Sequence, residues 1–166
     1  NVTDISWAYH GCYNLTGSPV CGNKVTTMSG TYYACHNLTG QPVCGNNVTD
    51  MSYMFYNCSK VESIKTIDLS KVTYSSGHSS MFHYCSNLKN VDFEGSINYN
   101  ISFATNELLT YESVKSILTA CYNTTKPTTS KSIYFTRTLT DQNGELTNLI
   151  ATCNTKGWTV SGLTLE

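Results

Sequence analysis

Asn47-Val-Thr-Asp-Met-Ser-Tyr-Met-Phe-Tyr-Asn-Cys58 is the stretch on which the reading of this chain turns, because the sequence states it four times. Asn1-Val-Thr-Asp-Ile-Ser-Trp-Ala-Tyr-His-Gly-Cys12 and Lys24-Val-Thr-Thr-Met-Ser-Gly-Thr-Tyr-Tyr-Ala-Cys35 are two further copies, and Ser79-Ser-Met-Phe-His-Tyr-Cys85 ends a fourth. The four cysteines lie 23, 23 and 27 residues apart. A fixed period of about 20 to 50 residues marks a chain that stacks one small unit on the next, so the expected fold is a solenoid. Within the quoted copy, Val48, Met51, Met54, Phe55 and Cys58 recur at the spacing of one face of a short helical segment. Their counterparts are Val2, Ile5, Ala8, Tyr9 and Cys12, then Val25, Met28, Thr31, Tyr32 and Cys35. The aromatic column Tyr9, Tyr32, Phe55, Phe82 reads as core.

Outward from each cysteine, an apolar residue follows three positions on, at Leu15, Leu38, Val61 and Leu88. Lys65–Leu69 and Asn90–Glu94 then alternate apolar and polar side chains, as half-buried strands do. In the first two copies the same place reads Ser18-Pro-Val-Cys-Gly22 and Gln41-Pro-Val-Cys-Gly45. If Val20 and Val43 point inward, period-2 alternation turns Cys21 and Cys44 outward, as an exposed thiol pair or one disulfide. The fourth copy is stretched by three residues around Tyr74–Gly77, which reads as a loop on one face. Asn1 opens the chain inside a copy, so the expectation is the C-terminal piece of a longer protein.

The period fails from about Ser96. Ile101–Phe103 reads as a strand, Thr110 as the N-cap of a helix carrying Val114, Ile117, Leu118 and Cys121, and Ser132–Thr136 as another strand. Asn143 is the expected cap of a second helix through Leu146, Leu149, Ile150 and Cys153, ended by Gly157 before a last strand at Trp158–Val160. Two regions result: repeats over 1–95, about four rungs with the first truncated, and capping rungs with two longer helices over 96–166. The fold class expected is α/β, a right-handed leucine-rich-repeat-like solenoid with a short strand and a short helix per rung, closed by a C-terminal α/β cap.

Composition narrows the function. Only 13% of residues are charged and the net charge is −1, which gives nothing to track a phosphate backbone, so nucleic acid is not an expected partner. No run approaches the roughly 18 apolar residues of a membrane span, so no membrane insertion is expected. Cys12, Cys35, Cys58 and Cys85 share one position and read as a ladder of buried, reduced thiols, although rungs about 4.8 Å apart leave bridges open. No C-x-x-C occurs, and the possible trio His78, His83, Cys85 is matched elsewhere by Met51, Tyr56, Cys58, so neither a metal nor a cofactor is expected. No nucleophile elbow, P-loop or H-E-x-x-H is present. Asp92 and Glu94 would share a strand face, and paired carboxylates are glycosidase chemistry, but a solvated strand face explains them more simply. Seven Asn-x-Ser/Thr sequons, at Asn1, Asn14, Asn37, Asn47, Asn57, Asn100 and Asn123, fall largely on repeated positions and read as turn residues.

The surface texture points further. The chain holds 12 Tyr among many Ser, Thr, Asn and Gly. The column next to the core aromatic reads His10, Tyr33, Tyr56, His83, with Trp7 and Tyr53 beside it. Rigid aromatics set among small polar groups are the composition of binding surfaces, so these six residues are the candidate ligand-binding set; no catalytic residue is expected.

At Met54-Phe-Tyr-Asn-Cys58-Ser-Lys-Val61, Ile67-Asp-Leu69-Ser and Met81-Phe-His-Tyr-Cys85-Ser-Asn-Leu88-Lys-Asn-Val91-Asp-Phe93, the chain resembles the BspA-like leucine-rich repeats over about residues 1–95. Ala151-Thr-Cys-Asn-Thr-Lys-Gly-Trp158-Thr-Val resembles the closing segment found after such repeats in phage and prophage proteins. Ser-Pro-Val-Cys-Gly departs from the family's leucine-rich strand in the first two copies. The resemblance implies a non-enzymatic adhesion or receptor-binding module on a virion or bacterial cell surface, such as part of a phage tail fibre. Its expected partners are a host-surface glycan or protein and other virion or surface-protein subunits. A homo-oligomer follows by analogy with phage fibres, and the alternatives are a structural spacer repeat or a bacterial adhesin. The family carries no fixed ligand residues to transfer.

Overall fold

The computed structural model describes residues 1–41, 45–73, 80–122 and 130–166. Among these residues five strands and two α-helices follow in the order β1 (Ser63–Asp68), β2 (Asn90–Glu94), β3 (Ile101–Phe103), α1 (Tyr111–Tyr122), β4 (Lys131–Leu139), α2 (Glu145–Thr155) and β5 (Trp158–Leu165). They form two separate parallel sheets, β1–β2 and β3–β4–β5. This corrects the expected fold class. Among the described residues no strand precedes Ser63 and no α-helix precedes Tyr111, so no copy holds a strand-plus-helix rung; the molecule is a small α/β protein rather than a leucine-rich-repeat-like solenoid.

The sequence copies build turns where short helices were expected. In the first, Ala8 N–H bonds to Ile5 carbonyl and Cys12 N–H to Tyr9 carbonyl, and the third residue of each turn, Trp7 (φ 60°) and Gly11 (φ 69°), is left-handed. The same places are held by Gly30 and Ala34, by Tyr53 and Asn57, and by Tyr84, all with φ between 53° and 61°. A positive φ at the third position is what a type II turn requires, and it stops a right-handed helix from propagating. The N–H groups between the turn closures reach the next copy instead. Ile5, Trp7, Tyr9 and Gly11 donate to Thr27, Ser29, Thr31 and Tyr33, and Met28, Gly30, Tyr32 and Ala34 donate to Asp50, Ser52, Met54 and Tyr56, at 2.7–3.0 Å. An apolar residue every third or fourth position is thus produced by successive turns as readily as by a helix.

These contacts align one inner column of rings. Tyr9, Tyr32, Phe55, Phe82, Phe103 and Phe135 stack at centroid separations of 5.6, 5.8, 5.8, 5.5 and 5.8 Å, all within 13° of parallel. The column therefore runs from the first turns into β3 and β4. Tyr9 is its exposed outer end; the other five are buried. Beside the column, the thiols of Cys35, Cys58 and Cys85 donate to the carbonyls of Tyr9, Tyr32 and Phe55 at 2.9–3.0 Å. Asn106 takes the next place, its amide donating to Phe82 and Cys85 carbonyls at 3.1 and 3.0 Å. The turn thus recurs over Phe103–Leu109, beyond the point where the sequence period fades. Cys12, expected to be buried, is exposed because no described segment lies on its outer side. The seven described cysteines are free thiols.

Beyond Asn106, helices replace turns. Thr110 Oγ1 accepts from the Ser113 N–H at 3.3 Å and so caps α1. Ser113 and Ser116 of α1 accept the Val91 and Phe93 N–H groups at 2.9 and 3.2 Å, so helix hydroxyls cover the edge of β2 where a third strand would pair. The second helix is capped by Asp141, whose carboxylate accepts the Leu146 and Thr147 N–H groups, and not by Asn143, which sits at φ 58° in the preceding 3-10 turn. Phe135 and Thr136 of β4 lie opposite Gly162 of β5, where the carbonyl of Phe135 leaves no room for a Cβ. Val20 points outward, 78% exposed, and Cys21 inward with Sγ 3.3 Å from the Tyr32 hydroxyl, which reverses the expected phase. Cys44, Val43, Tyr74–Gly77, His78 and Asn123 lie outside the described residues.

Candidate recognition face

The turn that puts one ring of each copy inward puts its neighbour outward, so a second ring column runs alongside the first. Tyr33 and Tyr56 stack at 4.6 Å and 4°, and Tyr56 and His83 at 5.7 Å and 25°. His10 lies 5.2 Å from Tyr33 at 60°. Three rings flank this ladder. Trp7 stands 5.6 Å from Tyr33 at 44° and lies at 85° to His10; Tyr53 is at 61° to Tyr56; Tyr84 is at 86° to Tyr56 and 72° to His83. The six residues singled out in the sequence are therefore joined by continuous ring contacts. Tyr84 is a seventh member, missed because its column otherwise reads Gly11, Ala34, Asn57.

The inner rings are sealed, but these are not. Trp7 is 48% and Tyr84 50% exposed, His10 is exposed, and Tyr33, Tyr53, Tyr56 and His83 are half-buried. Trp7, Tyr53 and Tyr84 also occupy left-handed backbone positions, where a side chain costs about 1–2 kcal/mol and where glycine serves at Gly11 and Gly30. Gly30 itself is required, since a Cβ there would lie 2.5 Å from the Trp7 indole. Local strain of this kind concentrates at functional sites. Burial, then the neighbouring phenols of Tyr33 and Tyr84, raises the Tyr56 hydroxyl above its ordinary range, so this phenol keeps its proton at neutral pH. No Asp, Glu, Lys or Arg occurs in residues 5–23, 25–49, 51–59 or 80–88.

Around this face the small polar groups serve the turns. Asn57 Nδ2 lies 3.1 Å from His36 Nε2, and His36 packs on Tyr13 at 5.2 Å. Asn37 and Asn47 donate to Tyr13 and Asn23 carbonyls, so these sequon side chains tie copies together. Asp92 and Glu94 are exposed on β2, and Asp92 accepts a bond from Ser116 at 2.9 Å. A cleft of about 550 Å³ between α1 and α2 contains Lys115, whose Nζ lies 2.6 Å from Glu145, while the Tyr111 hydroxyl donates to the same carboxylate. The Lys115 bond, then that of Tyr111, holds the Glu145 carboxyl below its usual range. Among the described residues no cluster of three or more His, Cys, Asp or Glu could hold a metal ion, and no helix is long and apolar enough to cross a membrane.

No protein-family model, curated protein or solved structure matches the chain.

Proposed function

We propose that this chain is a non-enzymatic recognition module, the receptor-binding or adhesive part of a phage tail fibre or a similar surface fibre, whose outer aromatic face binds a host-surface glycan or protein. One observation carries the binding role. Trp7, Tyr53 and Tyr84 are bulky rings held in left-handed backbone at positions that sister copies fill with glycine or small residues, and they border a half-exposed ladder. The turn needs a positive φ at these places, which glycine supplies without strain, so a large exposed ring there supports a use beyond folding. The placement on a virion or bacterial surface rests on the resemblance of residues 1–95 to BspA-like repeats. A spacer that decorates a virion without binding, or a bacterial adhesin, is the competing reading.

The test is binding of the purified chain to bacterial host cells. Replacing Tyr33→Ala together with Tyr56→Ala removes the middle of the ladder and abolishes attachment if the proposal holds. Undiminished attachment of a folded double variant would favour the spacer reading.

A further inference from the structure

We infer, resting on the recognition reading above, that the ligand is an uncharged glycan, seated with sugar-ring faces against Trp7, Tyr53 and Tyr84 and hydroxyls along the Tyr33–Tyr56 edge. The ring geometry distinguishes two kinds of aromatic. Tyr33 and Tyr56 lie face to face and half-buried, so each covers a face of the other and leaves mainly its edge for further contacts. The flanking rings stand at 44–86° to their neighbours in the ladder, so none of them lies flat on a ladder ring, and Trp7 and Tyr84 leave about half their surface to water. A row of hydrogen-bonding edges bordered by open ring faces matches a molecule with apolar C–H faces and a rim of hydroxyls. A pyranose has that construction, and its C–H groups meet the negative face of an aromatic ring.

Charge decides between sugars. An acidic glycan or phosphate-bearing polymer calls for Arg or Lys, which bind carboxylate and phosphate strongly. The stretches that build this face have none, and Arg137 is engaged elsewhere, donating to the Leu109 carbonyl at 3.0 Å. A protein partner is the weaker match. Interfaces of about 800 Å² per side rely on buried apolar anchors, whereas the ladder rings already cover one another's faces.

The experiment uses the full chain against immobilised neutral oligosaccharides of glucose, galactose, mannose and N-acetylhexosamines, with sialylated and sulfated counterparts. Binding to a neutral oligosaccharide is expected, nearly unchanged by added salt. Trp7→Gly and Tyr84→Gly, which place glycine where the backbone favours it, should weaken that binding at least about tenfold, equivalent to 1.4 kcal/mol. Tyr33→Phe, which keeps the ring and removes the hydroxyl, should weaken it less. Preference for acidic sugars, or binding untouched by both glycine variants, overturns the inference. Periodate and protease treatment of bacterial cells separates the two levels of the proposal. Attachment that survives periodate and is lost to protease keeps recognition and removes the glycan, and attachment to neither cells nor sugars removes both.

Discussion

Two ring columns run side by side through the first copies, and they behave in opposite ways. The inner column, Tyr9 to Phe135, is buried after its first ring and continues into β3 and β4. The outer column keeps a similar ring spacing but stays half-exposed; the place after His83 is Ala104, and the place after Tyr84 is Thr105, whose hydroxyl accepts the Tyr84 N–H. Packing requires the first column throughout the molecule. The second ends at His83 and Tyr84, and its flanking members hold left-handed backbone. On the proposed reading, the contrast separates what holds the fold from what is left for a ligand.

The largest effect that should expose this division is alkaline. Burial raises the thiols beside the inner column, Cys35 to about 11, Cys85 to about 12 and Cys58 strongly, and it does the same on the helices, Cys121 strongly and Cys153 to about 11. An unfolded thiol ionises near about 8.5. The folded chain holds these protons more tightly, so the thiols' contribution to stability is constant below about pH 8.5 and falls as pH rises toward the folded values. Each such thiol contributes a loss of about 1.4 kcal/mol per pH unit in that window. Thermal melts from neutral pH to about 10.5 should show a collapse in which several thiols act together; a flat profile would contradict their burial.

Next in size is the loss of one inner ring. Phe82 touches Phe55, Phe93 and Phe103, so Phe82→Ala should cost about 3–5 kcal/mol in denaturant titrations. Phe103→Ala should do the same, because the column crosses from turns into sheet there. If Phe103→Ala left the midpoint of residues 1–62 unchanged, the two parts would not share one core. Smaller still is Tyr53→Gly, where relief of a left-handed side chain offsets lost ring contact, leaving stability within about 1 kcal/mol. A thiol reagent should distinguish the ends without measurable destabilisation. Cys12 should react in the native chain, and Cys35, Cys58 and Cys85 only on denaturation.

The outer column was legible in the sequence because its chemistry repeats, as His10, Tyr33, Tyr56 and His83. Tyr84 was not, since a left-handed position is visible only when glycine marks it, and Ala34 and Asn57 conceal the column. The same blindness produced the helix expectation: Val48, Met51, Met54 and Phe55 keep helical spacing, but Tyr53 and Asn57 break the helix through φ alone. Asn106 replaces cysteine by doing the same hydrogen bonding with different atoms, so only Phe103 and Leu109, at the spacing of Phe82 and Leu88, mark the recurrence of the turn in the sequence. Cys21 faces inward because the Tyr32 hydroxyl lies within reach, a contact between residues 11 apart that alternation alone could not place. The strands at Asn90–Glu94 and Ile101–Phe103 were readable, since alternation and short apolar runs need no long-range partner to be recognised.

The division between the columns is tested most directly by measuring thermal midpoint and host-cell binding on one preparation of Tyr33→Ala with Tyr56→Ala, beside Phe55→Ala. The double variant should lose binding while its midpoint falls far less than that of Phe55→Ala. Retained binding, or a midpoint as low as that of Phe55→Ala, would show that the outer rings serve the fold and not a ligand.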